Sequence, residues 1–521
     1  MNPSSSFLAQ VKDNNYFMTQ NVMLSEKKSK WMLAILLILL ALSTILLYKY
    51  STRKFNYWKI RKVNYVKPIP ILGSLLPLFR LKQTFGEWLS DLSRQQKDDY
   101  FGIFVLDQPV LVVQSPKLIK NILQKDFVHF QNRSATGSKH DPIMSNLMFF
   151  SDNPEWKNSR SKVTPVFTTG KLKLMFEVIK KESERMVDYI AERVNVANVE
   201  SKEICAKYST NVIARCAFSV DAQSFQSDDA EFRNLGRRVF DFRYSTAFRN
   251  LSAWFTPNLV HTFNISFVEP NTSNRLQAIF NEVLDQRKSS CLNKGSDLID
   301  IMLEAQNKSN FEEKYLVAHA FQFYLAGFET ISSTLSFTLY ELCIRPDIQT
   351  RLRTEILESI EKTKTITYDE VAEMKYLDMC VCESLRKYPV LPFLDRTCSS
   401  NYKLDDDLII EKGVPVYIPL FGLHYNPELY PDPQKYDPER FEDKTKINVD
   451  CLSYIPFGEG PRICIGNRFG LMGVKLGLVA ILSKFKLEMS DQTPIPLQFE
   501  SKSILLQSKV GIPLKFVPLV Q

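Results

Sequence analysis

The run Pro456-Phe457-Gly458-Glu459-Gly460-Pro461-Arg462-Ile463-Cys464-Ile465-Gly466 gathers the residue types of a thiolate site. Its pattern is F-x-x-G-x-R-x-C-x-G, and five fixed positions would meet by chance in roughly one chain in ten thousand of this length. A thiolate that binds haem iron must stay deprotonated, must be reached by backbone N–H groups, and pushes electron density in the direction that favours O–O cleavage. Gly460 and Gly466 suit a tight loop around the sulfur, because glycine accepts backbone angles that other residues resist. Arg462 carries the planar fork that pairs with a carboxylate such as a haem propionate. Phe457 offers a ring to pack on haem and keep water away. Taken alone, the run also fits a structural cysteine in a glycine-rich turn.

Three further constellations stand upstream. Trp156 and Arg160 are four apart, so they share one helical face and can reach the same anionic group; a plain surface pair is the reading that spacing alone favours. Ala326-Gly327-Phe328-Glu329-Thr330 lies in an apolar stretch from about Phe311 to Leu342. Ser309 followed by Glu312 reads as a capping box at its start, and Arg345-Pro346 as its stop. Ala326 and Gly327 leave room for a diatomic ligand and a porphyrin, while Glu329 and Thr330 put an acid and a hydroxyl beside that gap. The competing reading is a buried helix with a glycine kink and a threonine bonding back to the carbonyl four residues earlier. Glu383 and Arg386, three apart, face one another on a helix, as a structural ion pair rather than an acid/base couple.

In chain order these runs resemble those of the cytochrome P450 superfamily, over nearly everything from about Trp58 to the C-terminus. The resemblance implies a mainly α fold with small β-sheets and a long helix crossing haem b, with Cys464 as the axial metal ligand. It implies that Arg133, Trp156, Arg160, Arg396 and Arg462 contact propionates, that Ala326 and Phe457 face the porphyrin, and that Arg440 completes a triad with Glu383 and Arg386. Glu329 and Thr330 would deliver protons during oxygen activation, a general-acid task. Ile331 departs from the family's usual Thr or Ser and implies a drier or rearranged proton network. The detailed wording (Phe323 to Thr330, Leu339-Tyr340-Glu341-Leu342 and Arg468-Phe469-Gly470) is similar to the insect microsomal group called family 6. The activity implied is a monooxygenase inserting one atom of O2 into apolar molecules such as plant toxins and insecticides. Electrons would come from NADPH through NADPH–cytochrome P450 reductase, with cytochrome b5 as a second donor. A biosynthetic hydroxylase of an endogenous lipid or hormone, a thiolate-haem isomerase or dehydratase, and a non-catalytic apolar-ligand binder are the alternatives. Substrate-lining positions are expected around Thr136–Phe150, Val390–Leu394 and Ser501–Leu505.

The elements that must position these groups divide simply. Residues 1–30 are a polar extension, and Met32 opens a segment that would by itself be a typical microsomal start. Residues 31–50 hold about eighteen uncharged residues, Trp31 to Tyr48, near the length that spans a bilayer. The basic flank beyond them (Lys49, Arg53, Lys54, Lys59, Arg61, Lys62, Lys67) predicts that the body of the chain lies in the cytosol, and the microsomal resemblance implies that the membrane is the endoplasmic reticulum. A cleaved signal peptide is disfavoured, because no small-residue cleavage site follows. Residues 51–75 read as a basic, proline-bearing hinge. No linker or repeat divides 76–521, which reads as one catalytic domain. The nine cysteines are odd in number and scattered, as in a reduced, cytosol-facing chain. The net charge of +8 is mild. Lys157, Lys162, Lys171, Lys173, Arg468 and Lys475 form a candidate docking patch for an acidic electron donor, and no motif supports nucleic acid. Phe255, Leu259, Phe263 and Phe267 are spaced as one helix face, either core or a second membrane contact.

Overall fold

The apolar N-terminal run lies within a single helix, Ser4–Thr52, in a computed structural model that describes residues 4–194, 198–289, 297–308, 312–443 and 452–519. Its part Lys27–Thr52 holds an 18-residue stretch of mean hydropathy 2.5, and residues 27–50 are exposed throughout. Among the described residues it is the one helix long and apolar enough to cross a membrane, which is consistent with membrane anchoring.

Residues 51–75 lie against the first sheet. Arg53 pairs with Asp107 at 2.8 Å, and Lys54 donates to the Gln108 side chain at 2.9 Å. Trp58 is fully buried, donates its indole N–H to the Ile103 carbonyl at 3.2 Å and lies flat on Gly102, where a Cβ would collide with the ring. The sheet beneath has four strands in the order Tyr100–Val105, Gln108–Val113, Pro415–Ile418, Leu394–Thr397. Two pairings are antiparallel, and the central one, Leu111 opposite Val416, is parallel. The last strand carries Asp395 and Arg396 into the interior. A three-stranded sheet (Val199–Glu200, Pro513–Pro518, Phe485–Met489) and a two-stranded one complete the β structure.

Helices form the rest, around the crossing helix Glu313–Cys343. From Leu316 onward it is buried on nearly every side, its serines and threonines included. Glu312 is the N-cap but makes no side-chain cap bond; Ser309 lies outside the described residues, so the capping box is not seen. The stop falls as expected: the helix ends at Cys343 and Pro346 opens the next one. Gly327 sits against the helix Ser201–Phe218, with Ile213 filling the space a Cβ would need. Further along, Ile331 packs on Gly473 and Leu335 on Gly477 of the helix Asn467–Leu482.

Phe255, Leu259, Phe263 and Phe267 do not share one helix. One helix ends at Phe255 and another runs from Pro257 to Phe263. Asn264 then turns left-handed, at φ +51°. Phe255 and Phe267 pack into the core, whereas Leu259 and Phe263 are exposed.

Two buried histidines make the fold acid-sensitive. Burial lowers His319 to about 4 and His424 to about 3. The unfolded chain, near 6.5, binds protons that the folded chain refuses, so stability rises with pH and is lost as pH falls below about 6.5. Between pH 7 and 5 each residue is expected to cost about 2 kcal/mol. Chemical denaturation at both pH values measures this, and His319→Asn should remove its share of the difference; an unchanged difference would show that His319 is not held neutral.

Candidate active site

Cys464 lies in the turn between the 3-10 segment Gly460–Arg462 and the helix Asn467–Leu482. The loop is closed by its own backbone, with Cys464 N–H donating to the Phe457 carbonyl at 2.9 Å. Gly460 has φ +74°, and a Cβ there would strike the Leu123 carbonyl, so only glycine fits. Gly458 is also left-handed, whereas Gly466 has an ordinary φ of −97°. Gly466 instead caps the following helix and gives its N–H to the sulfur. The thiol is exposed, yet desolvation by surrounding protein is what pushes its pKa up; the Gly466 N–H, Arg160 and Arg133 pull it down. Both facts hold together if the sulfur faces an interior space.

The crossing helix opens a face in the same region. Ala326 and Thr330 are exposed, although Leu325, Phe328, Glu329 and Ile331 around them are buried. Phe167 connects this helix to the loop: it stacks on Phe323 at 5.5 Å and lies 3.7 Å from the Cβ position of Gly466. Thr330 donates to the Ala326 carbonyl at 2.7 Å. Glu329 does not share this face. Its carboxylate accepts from Lys202 Nζ at 2.8 Å and from Ser333 at 3.2 Å, and Lys202 also reaches Ser332. Lys202 had no motif to announce it; only the fold brings it to Glu329. Ile331 is turned onto Gly473, so its departure from the usual residue serves helix packing.

Three arginines converge beside the loop. Arg133 Nη1 donates to Asp395 at 2.8 Å. Arg462 donates from Nε to the Gln131 carbonyl at 2.5 Å and from Nη2 to the Ser151 carbonyl at 2.8 Å. Its guanidinium lies 4.4 Å over the Trp156 ring. Arg396 is fully buried, with Nε bonded to no protein group. Burial first, and then the neighbouring guanidiniums, lower Arg396 to about 9 and Arg462 to about 8. Asp395 is the one buried carboxylate among them, and it is already held by Arg133 and by the backbone N–H groups of Ser134 and Ala135. Three guanidiniums, two of them buried, against one carboxylate call for more anionic charge. Haem brings two propionates, so the residues fit that group. Arg160 stands apart from this trio, its electrostatic partner being Cys464, while Trp156 is buried on the same helix, Glu155–Val163.

The loop is supported from the helix Lys375–Lys387. Arg386 holds Glu383 with two bonds, at 2.6 and 2.8 Å, and both side chains are fully buried. Arg440 stands at 3.6 Å from Glu383, as the looser third member. Of the expected docking patch, Lys157 and Lys173 are exposed. Lys475 is not part of it: it is buried and paired with Asp378 at 2.8 Å.

The sequence matches the cytochrome P450 family over residues 64–516. It is 38% identical over 507 residues to cytochrome P450 6k1 of Blattella germanica, covering 92% of this chain and 96% of that one. It is 40% identical over 474 residues to cytochrome P450 6j1 of the same organism, with 90% and 94% covered. Against the probable cytochrome P450 6g2 of Drosophila melanogaster it is 36% identical over 511 residues, with 93% and 98% covered. Agreement along nearly the whole chain, joined to a thiol loop with a guanidinium cluster fit for propionates, means that the chain belongs to the cytochrome P450 family and is a haem-thiolate monooxygenase.

Proposed function

We propose that this monooxygenase oxidises apolar foreign compounds at the cytosolic face of the endoplasmic reticulum, taking electrons from NADPH through NADPH–cytochrome P450 reductase, with cytochrome b5 as a second donor. The observation that carries the substrate class is the aromatic wall beside the open face of the crossing helix. Phe149 is tied by its N–H to Gln322 at 3.0 Å and packs on Trp254 at 5.5 Å; Trp254 packs in turn on Phe393 at 5.2 Å. Phe150 meets Phe267 at 5.7 Å, and Leu506 N–H bonds the Val390 carbonyl at 2.8 Å. Phe149 and Phe393 thus come together through Trp254, and such phenyl and indole groups recognise shape and apolar area rather than charge. The shared family-6 name of the relatives supports the same reading.

Bound haem supplies the iron centre at which O2 is activated. Cys464 would hold the iron through its thiolate, Arg133, Arg396 and Arg462 would neutralise propionates, and Arg160 would balance the sulfur's charge. Thr330 holds a hydroxyl at the open face for proton delivery. Glu329 can feed that route only by leaving Lys202. Turnover of a panel of apolar compounds with purified reductase tests the reading, and Thr330→Ala belongs in the same assay. Product is expected to fall about a hundredfold, the lower end for general acid–base help, while NADPH consumption continues and the difference appears as hydrogen peroxide. Unchanged coupling would remove Thr330 from the proton route, and turnover confined to a single endogenous lipid would replace the foreign-compound role.

Deleting residues 1–50 is expected to release much of the protein from membranes with haem binding intact, since residues 27–50 are exposed throughout. Full retention on membranes in high salt would shift the main attachment to the exposed Leu259 and Phe263.

A further inference from the structure

His424 ends the short helix Leu420–His424 and is fully buried. Its Nδ1 is 3.1 Å from the Arg386 carbonyl, and its Nε2 is 3.3 Å from the Ile455 N–H. A carbonyl can only accept and an N–H can only donate. The imidazole must therefore be neutral with its proton on Nδ1, the single tautomer that satisfies both neighbours. Arg386 answers by donating Nη1 to the His424 carbonyl at 2.8 Å. The ring also stacks on Tyr454, with centroids 5.7 Å apart and planes 26° apart. Tyr454 in turn donates to the Cys382 carbonyl at 3.0 Å.

The route from this ring to the sulfur is short. Ile455 gives its N–H to His424 and accepts from the Gly458 N–H at 2.9 Å. Between them lies Phe457, whose carbonyl holds the Cys464 N–H at 2.9 Å. Among the described residues, neither Glu383 nor Arg386 bonds into 456–464, whereas His424 joins the Arg386 carbonyl to the backbone entering that turn.

We propose that His424 is a positioning residue: by gripping the Ile455 N–H from the Arg386 carbonyl, it sets where the 457–464 turn lies and so holds the Cys464 sulfur in its ligating place. This rests on Cys464 being the axial ligand. Losing the ring nitrogens orphans one buried N–H and one buried carbonyl. The turn then has one fewer tie, and the sulfur can drift or take up a proton.

Two variants separate this role from plain packing. His424→Phe keeps the ring and its stacking on Tyr454 but bonds neither neighbour. His424→Gln offers a side-chain oxygen long enough to reach Ile455. The first measurement is hydrogen exchange of the Ile455 amide in haem-free protein. The second is the share of haem-loaded molecules whose reduced carbon-monoxide complex shows the thiolate-type Soret shift. His424→Phe should speed Ile455 exchange several-fold to about tenfold, the factor that the net worth of one hydrogen bond implies. It should also lower the thiolate-type share, and His424→Gln should restore most of both. Wild-type exchange in His424→Phe would overturn the proposal, as would faster exchange with an unchanged thiolate-type share. If His424→Phe does not fold, His424→Asn, too short to reach Ile455, takes its place; equal results for Asn and Gln overturn the proposal. A wild-type protein lacking the thiolate signature, with Ile455 still released by His424→Phe, would place the failure in Cys464 rather than in His424.

Discussion

Cys464→Ala is expected to leave a folded protein with no thiolate-type Soret shift in its reduced carbon-monoxide complex and no NADPH-dependent product. The cysteine is exposed rather than packed in the apolar core, so little burial is lost. The loop keeps its shape, because the Cys464 N–H to Phe457 bond and the left-handed Gly458 and Gly460 belong to the backbone. What disappears is the electron donation that favours O–O cleavage. Arg160 also loses the one anion facing it and stays half-buried, so some haem affinity should go as well. Circular dichroism and the melting temperature of haem-free protein should match wild type. A variant that keeps the shifted Soret band would remove Cys464 as the ligand, and the arginine cluster would then be serving some other anion.

How much of this was legible beforehand depends on whether the relevant partner is near in sequence. Gly460 and Arg462 are readable because a ten-residue pattern carries its own geometry. Gly466 was credited with angle freedom it does not use; its place as a helix cap and sulfur donor depends on where the next helix starts. Ile331 read as a disturbance of the proton route until its neighbour was known to be Gly473 on another helix. Lys475 read as a surface charge, and only Asp378, far along the chain, explains its burial. Lys202 is the clearest omission. Its spacing from Glu329 means nothing until two helices cross, and then it holds the carboxylate at 2.8 Å. The fold class was readable because its motifs are local and occur in order, whereas the pairing of charges across helices is a tertiary fact.

That distinction matters most at Glu383, where the largest stability effect is expected. Arg386→Met should destabilise the protein by about 3–5 kcal/mol, the usual cost of leaving a buried charge without its partner. Glu383 is fully buried. After the substitution it would retain the Asp437 N–H at 2.8 Å and Arg440 at 3.6 Å, too little to hold an ionised carboxylate there, so its already raised pKa would climb further as desolvation goes unopposed. Removing both charges with Glu383→Leu in the same chain should recover only part of the loss. Exchanging a buried ion pair for apolar groups is often neutral, but Arg386 also donates to the carbonyls of His424, Pro433 and Lys435. Those acceptors would remain orphaned in the double variant. Denaturation of the three proteins decides between the two contributions: full recovery in the double variant would mean that the ion pair alone matters, and no recovery would mean that Arg386 works chiefly as a clamp on the backbone beneath the cysteine loop.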